Sequence, residues 1–202
     1  MLPDPRVVPQ RYAHRMPTYL SIPQAVAALR AGGVIAYPTE AVWGLGCDPF
    51  DPAAVRRLLA IKQRDESKGL ILVSADLAQI ASFIDLDALP IERLKDVRAT
   101  WPGPHTWVLP CPSRVPRWLR GAHATIALRI TAHRRVAGLC NAFGGPIVST
   151  SANLAGREPA RTVDALDPAL LAQIDGVLEG VTGGLEAPTP IRDALSGTVL
   201  RA

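Results

Sequence analysis

No apolar stretch in this chain approaches the roughly 18 to 20 residues that a membrane-spanning helix needs; runs such as Val34 to Tyr37 and Leu70 to Val73 are of strand length. Membrane insertion is excluded on that ground. Cysteine is scarce as well. Cys47, Cys111 and Cys140 are odd in number and unequally spaced, matching neither a disulfide framework nor a zinc pattern, which implies a reducing compartment. The N-terminus has no basic region followed by an apolar segment and a small-residue cleavage site, so the expected location is the cytoplasm. Aromatic residues make up 5%, and Trp43, Trp101, Trp107 and Trp118 are scattered, as expected for packing rather than base stacking.

The familiar nucleotide motifs are missing too. There is no G-x-x-x-x-G-K-[ST] loop, and Gly44-Leu45-Gly46 lacks the third glycine of the dinucleotide fingerprint, which argues against an ordinary kinase or dehydrogenase. No histidine pair has metal-ligand spacing and no G-x-S-x-G elbow occurs, so neither hydrolytic chemistry nor a protein-bound metal site is expected.

What the chain has is apolar content: 48% of its 202 residues are hydrophobic and 20% are charged, enough for one core and too short for two full domains. Residues 1–17 hold four prolines and no periodicity. They read as a flexible extension ahead of a domain over residues 18–202, with Met1 and Met16 both open as starts. The net charge of +4 is unevenly spread. Residues 97–163 carry Arg98, Arg114, Arg117, Arg120, Arg129, Arg134, Arg135, Arg157 and Arg161 against the single acid Glu158, a candidate anion-binding face.

Strand-like and helix-like segments alternate. Ser21 and Gln24 form a capping-box pattern for a helix through Leu29 that Gly32-Gly33 stops, and Asp51-Pro52 opens another through Ile61. Further helices are expected at Leu77 to Phe83, Pro90 to Ala99, Arg134 to Phe143 and Val163 to Leu171. Strands are expected at Val34 to Tyr37, Leu70 to Val73, Thr106 to Leu109, Thr125 to Ile130, Pro146 to Ser149, Gly176 to Leu178 and in a hairpin over Ile191 to Leu200. This order predicts an α/β fold with a mixed sheet.

Several segments look built for a ligand. Pro38-Thr39-Glu40 places a hydroxyl and a carboxylate at the end of a buried strand, ahead of Trp43-Gly44-Leu45-Gly46. Lys62-Gln63-Arg64 and Lys68-Gly69 put cations between a helix and a strand, over one cleft. Ser149-Thr150-Ser151-Ala152-Asn153 follows an apolar strand and offers hydroxyls, an amide and backbone N–H groups to anionic oxygens. Arg129, late in its strand, has the planar fork that grips a carboxylate.

With Trp101-Pro102-Gly103-Pro104 and Thr106, and with Ala127-Leu128-Arg129, these segments stand in the order and spacing of the YrdC-type threonylcarbamoyl-AMP synthases, which the chain resembles from about Ser21 to Arg201. The resemblance is to the family's short form and implies a single domain with a twisted mixed α/β sheet, flanking helices and a basic concave cavity. It implies an enzyme, a nucleotidyltransferase that condenses L-threonine, bicarbonate or CO2, and ATP into threonylcarbamoyl-AMP and pyrophosphate. Mg2+ would accompany the nucleotide, and the product would pass to a tRNA threonylcarbamoyl-transferase complex that makes N6-threonylcarbamoyladenosine at position 37. By position, Thr39, Arg129, Ser149 and Thr189 resemble threonine-side contacts, and Lys62, Arg64, Lys68, Ser151, Asn153, Arg161 and Arg201 resemble ATP and phosphate contacts. His105 departs from the family pattern, so no role is carried over to it. No general base is assigned, because aligning bound substrates removes the need for a covalent nucleophile.

Three other readings stand beside this one. The arginine-rich stretch would suit a non-catalytic RNA-binding or ribosome-maturation factor, or a basic face that touches tRNA. A carbamoyl-adenylate-forming enzyme and an ATP-binding regulator without turnover are the others.

Overall fold

The computed structural model describes residues 17–201, so the expectations for the extension before Pro17 and for Met16 lie outside the described residues. After a short strand, β1 (Tyr19–Leu20), helix α1 (Ile22–Arg30) starts at Ser21, whose N–H donates to Gln24 Oε1 at 2.9 Å. Strands β2 (Ile35–Pro38) and β3 (Trp43–Gly46) form an antiparallel pair, and α2 (Pro52–Lys62) is capped by Asp51, which accepts from the Ala53 N–H at 2.8 Å. There follow β4 (Ile71–Ser74), α3 (Ile91–Ala99), β5 (Thr106–Pro110), α4 (Arg117–Arg120), β6 (Thr125–Ile130) and α5 (Arg134–Phe143). The chain continues through β7 (Ile147–Ser151), α6 (Pro168–Leu171), β8 (Gly176–Leu178), β9 (Ile191–Asp193) and β10 (Val199–Arg201).

Three expectations need correction. Ser149, Thr150 and Ser151 do not follow a strand but complete β7, pairing with β3 and β4. Leu77 to Phe83 is helical only as a 3-10 turn at Ala81–Phe83. Val163 to Leu171 splits at Asp167-Pro168: Asp167 accepts from the Ala169 N–H at 2.8 Å and starts α6 afresh, because proline lacks the N–H that would continue the preceding turn.

The strands form one 10-stranded mixed sheet in the order β1-β8-β2-β3-β7-β4-β6-β5-β9-β10, with β4 parallel to β6 and the β9–β10 hairpin antiparallel at one edge. Alternation of side chains across the pleat divides its two faces. Ala36, Leu45, Leu72, Leu128 and Val148 point to one face, where α2, α3 and α6 cover them in the larger core. Ile35, Tyr37, Val73 and Ile147 point to the other, under Val26 and Leu29 of α1 and Val136 and Leu139 of α5. Helices α1 and α5 cover only part of this second face. One step along β4 from Val73, Ile71 has no helix above it and faces a cavity.

Candidate active site

The uncovered part of the sheet is the floor of a cavity of about 540 Å³, lined in sheet order by β3, β7, β4, β6, β5, β9 and β10. Gly44 keeps that floor low: a Cβ there would stand 3.1 Å from Thr39 Cγ2 and 3.4 Å from Thr150 O. The cavity has two chemically distinct ends.

The inner end is buried. Thr39, Arg129, Ser149 and Thr189 line it, each at most 6% exposed. Thr39 closes the β2–β3 turn by donating from Oγ1 to Val42 O at 2.7 Å. Arg129 projects from β6, and its Nη1 donates to Thr189 Oγ1 at 2.7 Å while its Nε is buried with no acceptor. A guanidinium so placed has donors to spare and little water to satisfy them, the condition in which a carboxylate is bound by a planar fork. The segment that carries Thr189 is tied to the β2–β3 turn by Gly183 N–H to Thr39 O at 2.9 Å and Leu185 N–H to Glu40 O at 3.0 Å.

The outer end is exposed and cationic. Arg64 and Lys68 stand on it, with Arg120 from the end of α4, His123 from the α4–β6 connection and Arg201 from β10. Arg64 donates to Gly69 O at 3.0 Å, and Arg201 donates to Thr189 O at 3.0 Å. Desolvation lowers the pKa of both, and for Arg201 the charges of Arg129 and then Arg64 add to the effect, so the three guanidiniums share one field. Asp193 is the single acid of the lining.

Eight of the eleven residues singled out from the sequence therefore meet in this cavity: Thr39, Arg129, Ser149, Thr189, Arg64, Lys68, Ser151 and Arg201. Lys62, Asn153 and Arg161 do not line it. The Lys62 side chain turns inward instead of projecting over the cleft: its Nζ donates to Ser151 O at 2.7 Å, to Asn153 Oδ1 at 2.8 Å and to Asn153 O. Burial, followed by the nearby Arg64 charge, brings its pKa down to about 8. Asn153 also accepts from Ser151 Oγ at 2.6 Å, and its Nδ2 donates to Arg157 O at 2.6 Å, so its amide is committed to its own loop. Arg161 donates to Leu185 O at 3.0 Å and to Glu186 O, fastening that loop to the segment carrying Thr189. His105 lies off the cavity, its pKa lowered by desolvation and then by Arg192.

The arginine-rich stretch does not form one face. Arg129 is buried, Arg120 is on the cavity rim, and Arg98 rides on α3 against one side of the sheet while Arg134 and Arg135 ride on α5 against the other. Sequence reasoning counted Arg120 in the basic stretch but gave neither it nor His123 a place in the site. The only local signal between the two is Gly121, whose φ of 65° no ordinary side chain adopts easily.

A family model described as telomere recombination, Sua5–YciO–YrdC, matches residues 27–202. The chain belongs to the Sua5–YciO–YrdC family. Among its relatives is a protein of Stenotrophomonas maltophilia named threonylcarbamoyl-AMP synthase, 61% identical over 183 residues that cover 91% of this chain and 98% of that one. Of the solved structures, E. coli YciO superposes with a TM-score of 0.79 at 28% identity, covering 91% of this chain and 93% of that one. P. abyssi Sua5 complexed with L-threonine gives a TM-score of 0.79 at 28% identity over 87% of this chain, which spans 53% of the Sua5 chain. The twisted mixed sheet expected from the sequence is the family's own.

Proposed function

We propose that this protein is a threonylcarbamoyl-AMP synthase, joining L-threonine, bicarbonate or CO2, and ATP into threonylcarbamoyl-AMP with release of pyrophosphate. The observation that carries the reading is the two-ended cavity, a buried guanidinium at one end and a cationic rim at the other, in a chain 61% identical to a protein of that name.

The amino acid takes the inner end, its carboxylate on the free donors of Arg129 beside Ser149 and Thr39. The triphosphate lies along Arg64, Lys68 and Arg201, with Ser151 at the junction. Once its amine has combined with CO2, the carbamate oxygen attacks the α-phosphorus, the bond to the β-phosphate oxygen breaks, and pyrophosphate leaves. Two anions must meet, so the task of the protein is to offset their repulsion and align them, and alignment alone is worth roughly 7 to 11 kcal/mol. Lys62 and Asn153 hold the segment that presents Ser151, and Arg161 holds the wall that presents Thr189. Asp193 is the single acid among cationic rim residues, so no group of carboxylate ligands for a divalent ion stands there among the described residues; Mg2+ would come as the salt of the nucleotide. The adenylate would then be consumed in the cytoplasm by a tRNA-modifying transferase complex. The division of the basic residues between two faces of the sheet speaks against one continuous tRNA-binding patch.

The test is pyrophosphate release from ATP with L-threonine and bicarbonate each supplied or omitted. Release should require both, and Ser151→Ala or Lys62→Ala should abolish it. No release under any combination, together with salt-sensitive RNA binding, would leave an RNA-binding factor as the better account.

A further inference from the structure

Glu40 is 6% exposed and does not line the cavity, yet its carboxylate is turned toward the buried guanidinium that does. Oε1 accepts from Thr131 Oγ1 at 2.6 Å, and Thr131 Oγ1 itself accepts from the His133 N–H at 3.1 Å at the start of α5. Oε2 has no hydrogen-bond donor and lies 3.6 Å from Arg129 Nη2. On the opposite side Thr189 takes the Nη1 donor. Arg129 thus has a hydrogen bond at one terminal nitrogen and an ion pair at the other, and the carboxylate of that pair is fixed by a hydroxyl that accepts from the backbone of His133.

A buried guanidinium without a counter-charge would draw any anion strongly, whereas one already paired offers its fork without its full charge. None of the rim cations Arg64, Lys68 and Arg201 has a carboxylate within ion-pair distance among the described residues. We infer that Glu40 is the positioning residue of the inner end: it sets the plane of Arg129 and balances its charge, so that this end takes a single carboxylate and the polyphosphate is left to the rim. The inference rests on the synthase reading and adds to it the device that tells the two substrates apart.

Glu40→Gln keeps an oxygen for Thr131 and removes the charge. The KM for L-threonine should rise by about tenfold or more while that for ATP stays within about twofold, and inorganic triphosphate should become competitive against L-threonine. Thr131→Val, which keeps the charge but frees the carboxylate, should raise the L-threonine KM by a smaller factor, and Thr131→Ser should restore it; this pair carries the test if Glu40→Gln fails to fold. An unchanged L-threonine KM, or equal rises in both KM values, overturns the inference while leaving the synthase reading intact. A wild-type protein without threonine-dependent pyrophosphate release overturns the synthase reading itself, and this one with it.

Discussion

A lysine surrounded by three acceptor oxygens and shut away from water does not titrate like one in solvent. The Lys62 ammonium is present below about pH 8 and lost above it, well under the ordinary lysine value of 10.5. Its hydrogen bonds hold the strand end that presents Ser151, so kcat/KM for ATP should fall as pH rises through about 8. Lys62→Arg, whose guanidinium stays charged, should move that fall upward, and an unmoved profile would separate Lys62 from the loop. Linkage gives the opposite sign for stability. Between the folded and the unfolded pKa the unfolded chain holds the proton longer, so the contribution of Lys62 to stability rises with pH, and the alkaline loss of activity is not unfolding caused by this group. The sequence singled out Lys62 as a cation over the cleft, and its inward turn was not legible: the residue sits beside buried Ile61 on α2, and only the tertiary arrangement decides which of the Lys62-Gln63-Arg64 side chains reaches the cavity.

Among the elements, α4 is a single turn whose position depends on one glycine. Leu70 N–H donates to Leu119 O at 2.8 Å and Ala122 N–H donates to Ser67 O at 3.0 Å, stitching α4 to the 3-10 turn Glu66–Lys68 that carries Lys68. Gly121 lies between these bonds at φ 65° and ψ −138°, and a Cβ on it would stand 2.2 Å from Ser67 O. Gly121→Ala should therefore cost about 1 to 3 kcal/mol of stability in thermal denaturation and raise the KM for ATP more than that for L-threonine. Nothing in the spacing of apolar residues announced α4, because one helical turn is too short to show a period. The longer elements were legible: α1, α2 and α5 have capping residues and apolar faces, and the buried strands are continuous apolar runs. Where the reading slipped, at Leu77 to Phe83 and at Asp167-Pro168, apolar content masked a local stop.

For the molecule as a whole, the decisive feature is a sheet covered by helices on one face and half covered on the other. The inner end of the resulting cavity is insulated from solvent while the rim is not, so the two ends differ in their response to salt. Raising ionic strength from about 0.1 M to about 1 M shortens the screening length from about 10 Å to about 3 Å. The KM for ATP should rise steeply over that range and the KM for L-threonine little; parallel rises would mean that both substrates use the exposed cations. The cavity residues were recoverable from the sequence as separate motifs, since each sits at the end or edge of a recognisable element. Their separation into a buried and an exposed set was not, because burial is a property of the assembled sheet. That assembly has a kinetic side. The cavity draws on Thr39 near the β2–β3 turn and on Arg201 at the far edge of the sheet, with most of the chain between them. Contacts so distant in sequence form slowly, so a partly folded chain that lacks the β9–β10 hairpin lacks the Arg201 part of the cationic rim, and the onset of full nucleotide affinity during refolding would mark the closing step of folding itself.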